Sequence, residues 1–191
     1  MKELWIDCET TGTDASRHAL HQVSGVLING SEGYFDYKFK PNGDADFSMS
    51  AFEATDTSLK EVYTRDLVEY DAWKNFVSLL NRYVNKYDRD DKLIMYGYNV
   101  RFDYDFLYAW FKSHDKYGIG SYVWFPPIDV MNLAAHYLRA RRVGLADFKQ
   151  SSVAAALGIE VAEDKLHDAR YDIALTRAIY EKVVDNAQKS S

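Results

Sequence analysis

One cysteine, Cys8, occurs in 191 residues, which excludes an internal disulfide. No apolar run is long enough to span a bilayer, and no secretory leader pattern is visible. Positive charge is in deficit: 23 Lys and Arg against 29 Asp and Glu leave a formal net charge of −6. That balance argues against broad duplex binding more than against a small pocket for one strand end, because divalent cations offset a site's own carboxylates. Repeats, linkers and low-complexity tracts are also missing. What remains is an ordinary apolar share, 47%, with 15 tyrosines. One domain over residues 1–186 with a short flexible tail over 187–191 is expected. At this length folding buries roughly 70% of the unfolded surface, so a single core suffices. A soluble cytoplasmic protein of a reducing compartment fits these features.

The most informative stretch is Glu3-Leu4-Trp5-Ile6-Asp7-Cys8-Glu9-Thr10-Thr11-Gly12. Leu4, Trp5 and Ile6 form the short apolar run of a buried strand. Side chains two apart on a strand share a face, so Asp7 and Glu9 emerge together from its end, with Cys8 on the other face. Their repulsion is unfavourable unless a cation lies between them. Five acidic pairs have this spacing in the chain, so the spacing alone is weak. Asp7/Glu9 differs in following a hydrophobic strand and preceding Thr-Thr-Gly.

The pattern along the chain predicts an α/β fold. Strands are expected at residues 2–8, 19–29 and 33–40, the last two joined by an Asn29-Gly30 turn. Residues 44–65 read as irregular with one short helix, followed by a helix from about 66 to 87. A fourth strand is predicted at 93–98, and a helix at 99–113. After a loop at 116–127, Asp129 reads as the cap of another helix. Asp147 reads as the cap of a further helix that Gly158 ends. The last helix is expected at about 167–185. Sheets of this kind place ligands at strand ends, where Asp7 and Glu9 lie.

Two further stretches carry chemistry. In Tyr98-Asn99-Val100-Arg101-Phe102-Asp103 a strand passes into a helix and places Asp103 in its first turn, where a helix N-terminus favours an acid. In His167-Asp168-Ala169-Arg170-Tyr171-Asp172, Asp168 and Asp172 share a face, as two solvated acids would. His167 and Asp172 stand about 140° apart on an ideal helix. They converge only if His167 lies at or before the first turn.

These three motifs together resemble the DEDDh (DnaQ-like) 3′–5′ exonucleases, which include polymerase proofreading domains. The resemblance rests on Asp7-x-Glu9-Thr10-Thr11-Gly12, Asn99-x-x-Phe102-Asp103 and His167-x-Ala169-x-x-Asp172, and it covers most of the chain. It implies a ribonuclease H-like mixed five-stranded sheet flanked by helices, with a fifth strand near Tyr122–Phe125. It also implies a two-metal mechanism. Asp7, Glu9 and Asp172 would hold one Mg²⁺ or Mn²⁺, Asp7 would share a second, and Asp103 would act through water or on that second ion. His167 would be the general base. Thr10, Thr11, Asn99 and Phe102 would contact the terminal nucleotide, and the product would be a nucleoside 5′-monophosphate. Three positions depart from the family pattern. Tyr98 stands where many members have His, Gln22 where Glu is frequent, and Thr13 where a bulky apolar residue follows the glycine.

The implied partner is the 3′ end of a single-stranded nucleic acid, with DNA favoured over short RNA. A non-catalytic interaction module built on a nuclease-like fold is the reading from another class. No polymerase-binding extension is visible, so a free-standing enzyme is expected. His18, His21, His114 and His136 read as structural or exposed. Arg139, Arg141 and Arg142 form a basic cluster, either a phosphate track or a charged helix end. Tyr104, Tyr108 and Tyr117 read as packing residues.

Overall fold

A computed structural model describes residues 1–43, 45–54, 57–115 and 117–189. Five strands form one sheet: β1 (Glu3–Thr10), β2 (Leu20–Ile28), β3 (Glu32–Lys38), β4 (Ile94–Gly97) and β5 (Ile128–Asp129). Their order is β3-β2-β1-β4-β5. β1, β2 and β3 form an antiparallel meander, while β4 runs parallel to β1 and β5 parallel to β4. The mixed five-stranded sheet expected from the motif resemblance is therefore present. Among the described residues no helix is long and apolar enough to cross a membrane.

Helices cover both faces. They are α1 (Met49–Ala54), α2 (Leu59–Tyr63), α3 (Glu69–Asn81), α4 (Val100–His114), α5 (Val130–Tyr137), α6 (Gln150–Ala156) and α7 (Ala169–Lys189). The alternation of β1 splits its side chains between two cores. Leu4, Ile6 and Cys8 join the cluster containing Phe76 of α3 and Phe106 and Trp110 of α4. Trp5 joins Val130 and Ala134 of α5, Val153 of α6 and Ile173 of α7 on the other side. There its ring stacks 4.3 Å from Tyr96. β2, between β1 and β3, is buried at every position but its last.

Several boundaries differ from the sequence expectation. The fifth strand lies at Ile128–Asp129 rather than at 122–125. Val123 does bridge Leu93, with Leu93 N–H donating to Tyr122 O and Trp124 N–H to Leu93 O, both at 2.9 Å. Pro126 and Pro127 then offer no N–H, so the ladder breaks and resumes at Ile128. Helix α3 spans 69–81 instead of 66–87. Its expected first turn is extended because Leu67 O accepts from Lys40 N–H and Glu69 N–H donates to Lys40 O. Its expected last turn unwinds where Tyr83 O accepts from Lys2 Nζ and Asp91 accepts from Asn85 N–H. Residues 44–65 hold two short helices, α1 and α2, rather than one, although Asp44, Thr55 and Asp56 lie outside the described residues.

Asp129 caps α5 as expected, accepting from Met131 N–H at 2.9 Å. Asp147 does not cap α6. Lys149 holds that position, and Asp147 accepts from its N–H at 3.1 Å. Helix α7 starts at Ala169 rather than His167 and continues to Lys189. Ser190 and Ser191, part of the expected tail, lie outside the described residues, as does Lys116 of the predicted loop.

Gly158 follows the C-cap of α6 with φ at +73°, in open space where a Cβ would meet nothing within 4 Å. Left-handed backbone is then the sole obstacle to a side chain. Gly158→Ala is expected to destabilise the fold by about 1–2 kcal/mol. Gly120→Ala, equally open and without positive φ, is expected to be neutral or slightly stabilising. Urea unfolding midpoints of the two variants check this.

Candidate active site

The end of β1 is straddled by α7 on one face and by the first turn of α4 on the other. Asp7 and Glu9 leave β1 on the α7 side, where Asp172 follows the start of that helix. Asp103 approaches from α4 on the Cys8 side and is only 5% exposed. Four of the predicted carboxylates are thus gathered from three segments far apart in sequence.

Their electrostatics record the crowding. Burial, and then the charge of Asp172, pushes Asp7 up to about 7. Burial, then the charges of Asp7 and Asp172, pushes Glu9 up to about 8, with Lys38 opposing. Burial raises Asp172 to about 6 against the pull of His167. Burial and the Asp7 charge hold Asp103 well above the usual carboxylate range. The buried Oδ2 of Asp7 has no hydrogen-bond partner among the described residues. A buried acceptor left without a donor is unfavourable, and a cation removes that penalty together with the repulsion. Hard oxygen donors of this kind fit Mg²⁺ or Mn²⁺. Among the described residues, no three His, Cys, Asp or Glu groups are already drawn around one point.

The His167 condition is met. His167 precedes α7 with φ at +70°, a conformation uncommon for a side chain with a Cβ. Two hydrogen bonds hold it there: His167 N–H donates to Asp172 Oδ2 at 3.1 Å, and Asp168 Oδ1 accepts from Tyr171 N–H at 2.9 Å. Asp168, exposed as expected, is therefore also the cap of α7. The left-handed turn swings His167 beside Asp172, and both line an open cleft of about 740 Å³ with Asn99, Tyr98, Phe148 and Gln150.

The other predicted contacts divide. Asn99, at φ +58°, opens α4, and its N–H donates to Asp129 Oδ1 at 3.1 Å. Phe102 lines a separate hollow with Thr13, Asp105 and Phe106. The Thr10 hydroxyl donates to Gly12 O at 2.6 Å. Thr11 is fully buried; its hydroxyl donates to Asp46 O at 2.6 Å and accepts from Ala19 N–H at 2.9 Å. Both threonines shape the turn after β1. Gly12 completes it, since a Cβ there would fall 2.1 Å from the His18 ring.

Sequence reasoning missed a polar row beside the carboxylates. Register pairs Asp7 with Ser24 and Glu9 with Gln22, and these in turn with Asp36 and Lys38. Gln22 Nε2 and Ser24 Oγ both donate to Asp36 Oδ1, at 2.9 and 2.7 Å. The Asn29-Gly30 turn, which fixes the hairpin register, carries the signal for this row. Phe148 and Gln150 had no such signal. Gln150 Nε2 donates to Asp172 O and Thr176 Oγ1, both at 2.7 Å, and so steadies α7 below the site. Tyr98, at a family His position, donates its hydroxyl to Phe148 O at 2.7 Å.

His21 is structural. It is buried, its Nδ1 accepts from Arg65 Nη1 at 3.2 Å, and it is pushed down to about 4 by burial and by Arg65. His114 contacts Glu69 at 3.2 Å, and His136 is exposed. Arg139, Arg141 and Arg142 sit exposed on a 3-10 turn, with Arg142 5.1 Å above the Phe148 ring.

Comparison with known proteins agrees with this geometry. The family model RNase_T, described as an exonuclease, matches residues 4–180. No curated protein matches in sequence. In fold, the chain is similar to E. coli exonuclease I in complex with a dT13 oligonucleotide, with a TM-score of 0.74 and 22% identity over 99% of this chain and 42% of that one. The zinc-bound E. coli exonuclease I–single-stranded DNA complex gives 0.73 and 23% identity over 98% and 41%. A product-bound exonuclease I gives 0.70 and 19% identity over 95% and 43%. The chain spans about two-fifths of the length of these proteins. Their likeness establishes the ribonuclease H-like fold. With the match running from Leu4 through all four carboxylates into α7, the chain belongs to the RNase T exonuclease family.

Proposed function

We propose that this protein is a metal-dependent 3′–5′ exonuclease that releases nucleoside 5′-monophosphates from single-stranded DNA ends. The observation that carries the reading is the partnerless buried Oδ2 of Asp7 at the end of β1, with the charges of Glu9, Asp103 and Asp172 acting on one another through Asp7 and with His167 bonded to Asp172. Exonuclease I structures similar in fold are complexes with single-stranded DNA or a dT13 oligonucleotide, which supports the choice of DNA.

Asp7, Glu9 and Asp172 would hold one Mg²⁺ or Mn²⁺, and Asp7 with Asp103 a second. When bound, such ions supply Lewis-acid neutralisation of the phosphodiester and acidify the attacking water. His167, on its left-handed turn, takes the proton of that water at an imidazole nitrogen. Asp172 fixes the His167 backbone by accepting its N–H. Asn99, which borders the cleft, and Phe102, which lines the separate hollow, would contact the terminal nucleotide together with Thr10 and Thr11. Lys38, on the Glu9 row, is a cation whose charge already acts on Glu9.

Three outcomes are expected. Wild type with Mn²⁺ or Mg²⁺ shortens 5′-labelled single-stranded DNA stepwise from its 3′ end, and chelator or Asp7→Asn abolishes the ladder. Faster cleavage of RNA of the same sequence would overturn the choice of DNA. His167→Ala lowers kcat by about 10²–10⁴ while metal binding, followed by calorimetry, is retained. Lost metal affinity in that variant would instead make His167 a ligand.

The third outcome concerns pH. Without metal, burial holds protons on Asp172, Asp7 and Glu9 up to about 6, 7 and 8, whereas the unfolded chain releases them near 4. Between these limits the folded state binds more protons, so their contribution to stability falls as pH rises from about 4 to 8. In chelator, Tm is expected to decline across this window, and Asp7→Asn to flatten the decline. Added Mn²⁺ should raise Tm more at pH 8 than at pH 5, since binding displaces the retained protons.

A further inference from the structure

Helix α4 brings Asp103 to the site at its first turn, and its outer face carries a second pattern. Arg101, Tyr104, Tyr108 and Lys112 follow one another at three- and four-residue steps and so lie along one side. The Tyr104 and Tyr108 rings are 6.4 Å apart and tilted by 24°. Phe125, from the loop before β5, lies 5.2 Å from Tyr104. Cations cover these rings: Arg101 lies 5.8 Å from Phe125, and Lys112 5.6 Å from Tyr108. Beside them Lys92 lies 5.3 Å from Trp124. Tyr108, Phe125 and Trp124 are 46%, 58% and 42% exposed.

Core packing does not account for rings left this open, and a contiguous apolar patch of this kind marks a contact surface. Its charge says what it contacts. Three cations stand over the rings of a chain whose net charge is −6. Asp105, the acid on this face, is held by Arg101 through bonds of 2.8 and 2.9 Å. The patch therefore suits a polyanion with flat apolar groups. It also reaches the hollow of about 410 Å³ lined by Phe102 and Thr13, because Asp105 lines that hollow too, and its helix carries Asp103 in the first turn.

We propose that this stripe is a stacking platform for the bases of a single DNA strand upstream of its 3′ end. The inference rests on the exonuclease reading above. From Arg101 to Lys112 the helix rises about 17 Å. That is room for roughly three to five nucleotides at the spacing of stacked bases. Ring faces accept every base, so the platform grips without sequence preference, and its cations make the grip salt-dependent.

The test compares wild type with the Tyr108→Ala/Phe125→Ala double variant on oligo-dT longer than the stripe and on a dinucleotide. Binding of the labelled long oligomer is read by anisotropy in chelator. The platform predicts KM and Kd for the long oligomer raised about tenfold or more, with kcat on the dinucleotide unchanged. Tyr108→Phe, which keeps the ring, should retain wild-type values. Equal long-oligomer KM and Kd in wild type and double variant would overturn the platform, as would a wild type that binds no oligomer. A wild-type dimer in light scattering that the double substitution dissolves, with long-oligomer KM unchanged, would reassign the patch to self-association. A wild type that binds the oligomer without cutting it would refute the exonuclease reading, while a Kd that still depends on Tyr108 and Phe125 would uphold the platform.

Discussion

Repulsion between carboxylates at the end of one buried strand is the constraint on which this structure turns. β1 is apolar from Leu4 to Ile6 and then presents Asp7 and Glu9 on one face. Two helices bring Asp103 and Asp172 to the same place. Burial raises all four, and mutual charge adds to it at Asp7, Glu9 and Asp103, while Lys38 and His167 offset Glu9 and Asp172 only in part. Such an arrangement is retained only where its instability is useful, and holding divalent cations is the use that proposed phosphodiester cleavage requires.

The surroundings serve that cluster. Trp5 on one face and Leu4 and Ile6 on the other anchor β1 in two cores, so the strand end cannot recoil from the charge it carries. The hairpin of β2 and β3 lays a polar row beside the acids, where Asp36 takes up Gln22 and Ser24 as donors and Lys38 offsets Glu9. Gln22 and Ser24 are thereby kept from Asp7 and Glu9. On the far side, the Asp168 cap and Asp172 hold His167 in a left-handed turn. Strain of this sort persists when its neighbours fix it, and here it aims the imidazole into the cleft.

Much of this was legible in order along the chain. The three motifs sit at a strand end, at a strand-to-helix passage and at the start of the last helix, as read from their flanking residues. The hairpin, the αβ alternation and the Asp129 cap were equally visible, because each is encoded within a few residues of itself. Errors fell where distant backbone decided. Lys40 keeps residues 66–68 out of α3, and the two prolines after Phe125 displace β5 beyond the apolar stretch that resembled it. Apart from these, the hydroxyls of Thr10 and Thr11, expected to contact the terminal nucleotide partly through backbone, are bonded to backbone groups at Gly12, Asp46 and Ala19.

By itself the sequence determined that one strand presents two carboxylates together, since period-two alternation puts Asp7 and Glu9 on one face whatever the rest of the chain does. Tertiary structure decided what those groups experience. Burial, not composition, raises the carboxylates, and the meeting of α4, α7 and β1 supplies partners 90 and more residues away in the chain. It also decided that Tyr108 and Phe125 stand in solvent while Tyr104, beside both, is half-buried against the core. Periodicity shows which residues share a side of a helix, but only the packed neighbours settle whether that side faces protein or water.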